Sequence, residues 1–454
     1  MREPRRTGTG VFVVRHISGL YARFVEGISS IRSLHEDRLV RSLERFYRGE
    51  TRLIIAFRHV AKEDAPVLMH TVYSRLRRQV PGAEARVLYG QNVLNWAGAG
   101  ARWIFPRLGC IPVLNTHMSR RSTELIRSAL AEAGHPLMLA PEGQVTYHAF
   151  RVGALESGVA AMAHWARDAV QRGGDTREVE ILPVSLAYGH DREPFELVRI
   201  VATKIANSTG RPLVLPSDRS EDSIRDCLLE LSAQVLDTLE SQYEQLWTLD
   251  SQATDLQQRF SGLAAAALAA GEQILGVATE GRMLDRLFQL RVKCIMRMYR
   301  SDVDPARLPP VQRALADTGA YEGAAAMRHQ ELADVCMYID PGYIVTGHKP
   351  MGGPMSTSGP EPRAWHVRFA EYALNLLDLL NRAGGGTINS RFSPSRKTAW
   401  VYVGEPLRVQ SEAGQLQEGH SLSAGGHKSD RREMLSAIHA AFTRDAALLE
   451  RALS

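Results

Sequence analysis

Cysteine is scarce in this chain, with four residues in 454, at Cys110, Cys227, Cys294 and Cys336. They stand far apart, with no CxxC pair and no metal-ligand spacing. A zinc module and a disulfide scaffold are therefore excluded, and the expected setting is a reducing, cytoplasmic one. Long apolar runs are lacking too. A helix needs about 20 such residues to span a bilayer. The nearest stretches are "NWAGAGARWIFP", broken by Arg102, and the alanine-rich "GLAAAALAAGEQILGVA", which reads as a packed helix. The basic start "MREPRRTGTG" is followed by no apolar signal core, so no secretory leader is expected. No G-x-S-x-G elbow occurs, which argues against an α/β-hydrolase.

What is present is an ordinary globular balance, 44% hydrophobic and 23% charged. The net charge of +5 is concentrated at one end. Residues 1–60 hold twelve arginines against six acids, which leaves the rest near neutral. Such a segment suits an acidic surface. Apolar residues recur at helical spacing through Leu20, Phe24, Ile28, Ile31, Leu39, Leu43 and Phe46, with arginines filling much of the remainder. One or two basic amphipathic helices over 1–48 are expected, suited to a lipid headgroup layer or to packing on their own domain. Nucleic acid is not an expected partner, because the segment carries no recognised motif and no interleaved aromatics for stacking.

Beyond residue 48, strands and helices alternate. "RLIIAF" (52–57), "ARVLYG" (85–90), "GCIPVL" (109–114), "PLMLAPEG" (136–143) and "EILPVSLAYG" (180–189) read as strands, with helices over 65–79, 119–134 and 157–174. This rhythm predicts an α/β fold: a layered mixed sheet flanked by helices over 49–217. A mainly helical region follows at 218–345. The rest, 346–454, reads as a Gly/Pro-rich loop, a helix, strands and a terminal helix. "LVRIVATKIANSTGRPLVLPSD" and "TAWVYVGEPLRV" share a strand-then-Gly-x-Pro pattern, read as a coincidental echo.

In such sheets, sites form where strands end. His59 ends one strand and Asp64 stands five residues on. On one continuous helix, residues five apart point about 140° away from each other. The two meet only if His59 closes a strand, "VAKE" turns, and Asp64 opens a helix. A histidine so held is a general base, its tautomer fixed by the acid.

Three later stretches, "LGCIPVLNT", "LMLAPEGQVTYH" and "EILPVSLAY", stand in order after His59. Together with H-x4-D they resemble the four blocks of the glycerolipid acyltransferases, the PlsC-like superfamily, over roughly residues 50–215. The resemblance implies transfer of a fatty acyl group from acyl-CoA or acyl-carrier protein to a hydroxyl. It implies His59 as base, Asp64 as its orienting acid, and acceptor binding by Pro141, Glu142 and Gly143 with Gln144. Gly109, Ile111, Pro112 and Pro183 fall in the second and fourth blocks. No cofactor is implied beyond the acyl thioester co-substrate. A thioester is already activated, so a base with oriented donors suffices, without a Ser or Cys nucleophile.

The chain departs from the pattern in places. Asn115 and Val145 stand where the family carries arginines for an acceptor phosphate, and neither can pair bidentately with phosphate oxygens. Arg58, Arg120, Arg121 and Arg151 are the nearby substitutes, and Arg58 precedes the histidine where asparagine is common. A lysophospholipid or another long-chain alcohol is therefore the expected acceptor, met at an anionic membrane surface by a peripherally bound protein. His148 is a candidate pocket residue. Trp96, Trp103 and Phe105 suit either a membrane interface or the sheet. A lipid-binding homologue without turnover and an acyl-thioester hydrolase are the alternatives; an intact His59 with Asp64 favours an enzyme.

Overall fold

The computed structural model describes residues 4–90, 93–113, 120–173, 177–246, 255–299, 307–345, 363–394, 396–409, 421–422 and 428–454. From the start run α1 (Gly8–Phe24), β1 (Ile28–Leu34), α2 (Glu36–Tyr47), β2 (Thr51–Phe57) and α3 (Asp64–His70). Then come β3 (Arg86–Gly90), α4 (Val93–Trp96), α5 (Gly98–Arg107), β4 (Ile111–Val113), α6 (Arg120–Glu132), β5 (Leu137–Leu139), α7 (Gly158–Arg172) and β6 (Glu178–His190). The helices α8 (Pro194–Thr209), α9 (Glu221–Leu246), α10 (Leu256–Leu275), α11 (Met283–Met298), α12 (Pro310–Met337), α13 (Gly342–Val345) and α14 (Ala364–Ala383) follow. Last are β7 (Lys397–Val403), β8 (Leu407–Val409), β9 (Ser421–Leu422) and α15 (Lys428–Leu453).

The chain forms two compact units: Met1–Asp191 with Thr357–Val367 and Pro394–Ser454, and Arg192–Ser356 with Arg368–Ser393. These limits differ from the sequence blocks 49–217 and 346–454, because strands from the far end of the chain enter the sheet of the first unit.

That sheet is mixed, in the order β1-β7-β6-β2-β5-β3-β4, with β8 paired to β6 and β9 to β8. Strands β2 to β6 run parallel, while β7 and β8 run antiparallel to β6. All seven residues of β2 are buried, as a central parallel strand covered on both faces requires. Leu53, Ile55 and Phe57 face a core shared with α1, α2 and α3, and Ile54 and Ala56 face one shared with α6, α7 and α15. This alternation is the two-residue period of a strand.

Three expectations change. The helical spacing from Leu20 to Phe46 is not one helical stretch: Ile28 and Ile31 lie in β1, paired parallel with β7. Gly27, at φ +68°, breaks the helix, and its carbonyl accepts from the Lys397 amide at 2.9 Å. The helix expected over 65–79 ends at His70 and continues as a wide π turn (71–75) and a 3-10 turn (76–78). "LVRIVATKIA" is helix α8, not a strand. Pro194 sits in its first turn, and Leu197, Val198, Val201, Ala202 and Ile205 recur at the helical period on its buried side.

The second unit is helical, as 218–345 predicted. Gly271 of α10 allows close packing, since a Cβ there would meet Leu290 and the Ala326 carbonyl at 2.8 and 3.1 Å. Phe260, Leu263, Ala267, Leu287 and Leu290 are buried in α10 and α11. The Gly/Pro-rich loop at 347–362 lies outside the described residues.

Candidate active site

Parallel pairing places the carboxyl ends of β2, β5 and β6 side by side. Ala56 is in register with Leu139 and with Pro183. The chain leaving β2 therefore meets the chain leaving β5, and these carry His59 and Glu142.

His59 and Asp64 meet as the strand-turn-helix reading required. His59 Nδ1 is 3.0 Å from Asp64 Oδ2, with Asp64 at the first position of α3. The Ala61 amide donates to the same oxygen at 2.8 Å, and the Tyr188 hydroxyl donates to Oδ1 at 2.6 Å. The acid is fully buried, while the imidazole keeps 24% of its surface open. With Nδ1 turned to the acid, Nε2 is the nitrogen left for a substrate proton. Burial pushes the Asp64 carboxyl above its usual range, against the pull of its bonds from His59, Ala61 and Tyr188.

Glu142 clamps the strand end that carries the histidine. Its Oε2 accepts from the His59 amide at 2.6 Å and its Oε1 from Arg58 Nε at 3.0 Å. The Arg58 guanidinium has no exposed surface; it also donates to the carbonyls of Ala149, His148 and Arg151 at 2.8, 3.0 and 2.7 Å. The Thr146 amide reaches back to the His59 carbonyl at 2.7 Å. Arg58, which the sequence offered as a replacement phosphate ligand, is thus spent on the Pro141–Arg151 loop. Glu142, expected to contact acceptor, is spent on His59 and Arg58. Gly143 takes φ +70°, which turns the loop at this point. Pro141 and Gln144 are buried in the same loop, Val145 is half-buried, and His148 is buried, not a surface loop residue.

Other expected residues lie elsewhere. Gly109 precedes β4, at the amino end of the sheet and opposite His59; its neighbours there are Arg6 and Arg86. The strand between it and the carboxyl end is the reason: about 3.3 Å per residue carries Ile111 to Val113 across the sheet. Ile111 faces the core, and the Pro112 carbonyl accepts from Ser122 at 2.9 Å. Pro183 is a buried ladder residue. It stands where β6 changes partner from β8 to β7, so its missing N–H costs no bond, and its carbonyl accepts from the Gly404 amide. Arg120 is almost fully exposed beside Glu124, and Arg121 is exposed on the same helix. Asn115 and the side chain of Trp96 lie outside the described residues. Trp103 is 39% exposed under the Arg107 guanidinium, whereas Phe105 packs edge-on against Tyr89.

Sequence reading missed Tyr188, Glu63 and Lys397. Lys397 Nζ is 2.6 Å from Glu63 Oε1, both side chains nearly buried, and it lies 5.2 Å from the Tyr188 ring centroid. Tyr188 stood inside a quoted block, where Leu182, Val184, Leu186 and Tyr188 alternate onto the α3 side. Lys397, 334 residues from Glu63, offered no local signal.

The sheet is parallel at its centre, and a histidine–aspartate pair stands at its carboxyl end. Residues 35–187 match the model of a family described as Acyltransferase, so the chain carries a domain of the glycerolipid acyltransferase, PlsC-like family and is a transferase. In general terms such a domain implies an acyl donor and a lipid acceptor. No curated protein and no solved structure matches the chain.

Proposed function

We propose that the protein is an O-acyltransferase that moves a fatty acyl group from acyl-CoA or acyl-carrier protein to the hydroxyl of a lysophospholipid-type acceptor. One observation carries the reading: a part-exposed His59 held through Nδ1 by a buried, triply bonded Asp64. His59 Nε2 takes the hydroxyl proton as the alcohol oxygen attacks the thioester carbonyl. The imidazolium forms against the Asp64 carboxylate. The tetrahedral adduct then expels the thiolate, which recovers the proton from His59, and ester and free thiol leave. No arginine stands at Val145, and Arg58 is committed to Glu142, so neither supplies a fork for a simple phosphate monoester. That favours an acceptor gripped by its chain.

Labelled acyl-CoA, incubated with a panel of lysophospholipids and resolved by chromatography, tests this. The expected product is a diacyl lipid, and His59→Ala lowers its rate by about 10²- to 10⁴-fold. Free fatty acid alone would make the protein a hydrolase, and a wild-type rate in the variant would remove His59 as base.

A membrane face completes the proposal. Among the described residues no helix is long and apolar enough to cross a bilayer. Helix α1 buries Val11, Val14 and Ala22 and leaves Phe12, Ile17, Leu20 and Phe24 open, with Phe12 61% and Phe24 75% exposed. Arg23 lies among them, its guanidinium 5.9 Å from the Phe24 ring centroid, whereas Arg15 is turned to Glu84. An apolar stripe with an arginine alongside suits shallow insertion among anionic headgroups. Phe12→Ser/Leu20→Ser/Phe24→Ser should cut sedimentation with anionic vesicles by about tenfold or more. Binding equal to wild type would discard this face.

A further inference from the structure

We propose that Tyr188 and Lys397 are positioning residues for the His59–Asp64 pair, a hydroxyl and a cation brought from β6 and β7 to fix the acid as an acceptor toward the imidazole. The inference deepens the acyltransferase reading and rests on it. Both residues lie outside the matched span, Tyr188 by one position and Lys397 by 210. The geometry is continuous. Tyr188 donates to Asp64 Oδ1 at 2.6 Å, the Lys397 ammonium stands over the Tyr188 ring at 5.2 Å, and that ammonium is held by Glu63 at 2.6 Å. Antiparallel pairing makes this possible. Because β7 runs against β6, its first residue pairs with His190, past the carboxyl end of β2.

Each link has a physical task. A carboxylate with one oxygen on His59 and Ala61 leaves the other oxygen in need of a donor, and in a dry interior an unmet oxygen favours protonation. Tyr188 supplies that donor. A cation over the face of a phenol draws on its electrons and strengthens the hydroxyl as donor. Glu63, next to Asp64 in sequence, keeps the lysine in place.

The charged surroundings are few. Facing the pair or its supports are His59, Asp64, Glu63 and Lys62 from the turn, Tyr188 from β6, and Lys397 from β7. Glu26, which takes Tyr21 at 2.8 Å and Lys62 at 3.4 Å, stands between α1 and β1. Arg58 and Glu142 neutralise each other behind the His59 amide. Three carboxylates thus face two lysines and one imidazole. Lys397 is the more deeply buried lysine, with 6% of its side chain exposed against 30% for Lys62.

Direct titration of the full-length chain tests the proposal without relying on turnover. Histidine is labelled with ¹⁵N, and the His59 resonance is identified by its loss in His59→Ala. The midpoint of the coupled pair is then read in wild type, in Tyr188→Phe, and in Lys397→Met/Glu63→Gln, which removes two opposite buried charges together. Taking a donor from a carboxylate raises the proton affinity of the pair. The expected result is an upward shift of about 0.5–1 pH unit in Tyr188→Phe and a smaller upward shift in the double variant. Tyr372→Phe, which loses a buried hydroxyl contact to Ser232 in the second unit, should leave the midpoint in place. In the transfer assay Tyr188→Phe should lower kcat about tenfold with KM unchanged, the mark of a group that acts in the transition state. Midpoints equal to wild type in both folded variants would overturn the proposal. Should Tyr188→Phe fail to fold, the double variant alone decides. An unmoved midpoint beside an inactive His59→Ala sinks only this inference, whereas an active His59→Ala sinks the acyltransferase reading itself.

Discussion

Asp64 in the first compact unit and Asp378 in the second are both buried almost completely, and the two answer burial differently. Asp64 is 0% exposed and Asp378 1%. Burial is the largest influence on both, and it drives each carboxyl upward. In the first unit an imidazole, an amide and a phenol do not make up the difference, and Asp64 stays above its ordinary range. In the second, the charges of Arg391 and Arg382 with the Asn381 amide more than offset it, and Asp378 ends below that range. Arg391 stands at 2.9 Å and Asn381 at 3.0 Å. At Asp378 two full cations outweigh burial, whereas the imidazole, amide and phenol around Asp64 leave its proton more tightly held.

The signs for stability follow. A lowered carboxyl adds stability that is present above the unfolded value, about 3.9, and is lost as pH falls through the folded one. Asp378 therefore supports its unit at neutral pH. A raised carboxyl does the reverse. Ionised Asp64 costs folding free energy at neutral pH, and that cost disappears once pH falls below the unfolded value.

Paired substitutions sharpen this contrast. The largest effect expected is on turnover: Asp64→Asn should lower acyl transfer by about 10²- to 10⁴-fold, since the imidazolium loses its counter-charge. Its effect on unfolding free energy at pH 7 should stay within about 1 kcal/mol, because the ionised acid was costly there. Asp378→Asn should do the opposite. It strands two arginines, so a loss of about 3 kcal/mol in denaturant unfolding of the chain is expected at pH 7, shrinking below about pH 4. The His59 resonance should not move in that variant. If Asp64→Asn proves the more destabilising of the two, the distinction between reactive and structural burial is wrong.

The units also differ in how far their buried charges reach along the chain. Asp378 finds Arg382 four residues on and Arg391 thirteen on. Glu63 finds Lys397 across 334 residues, and Arg58 finds Glu142 across 84. Local partners lie within reach of a pattern read along the sequence, and distant ones do not. This separates what was legible from what was not. Strands β2, β5 and β6 were legible because both faces are buried and their residues are mostly apolar. The meeting of His59 and Asp64 was legible from the turn that five residues demand. Gly109 was read into the site by block order, although strand direction puts it at the other end of the sheet. Ile28 and Ile31 fit a helix by spacing, but Gly27 and the partner strand β7 made them a strand. Arg58 looked like a free cation until the loop carrying Glu142 folded over it.

By itself the sequence determined the alternation of strands and helices, the meeting of His59 with Asp64, and the blocks that mark an acyltransferase domain. Those features rest on spacing within one segment. Only the tertiary structure decided that Glu142 braces the histidine, that Tyr188 holds the acid, and that a lysine near the far end of the chain stands behind both. The reason is the sheet: backbone hydrogen bonds set strands side by side whatever their separation along the chain, and a buried charge takes whichever partner that pairing brings within about 3 Å.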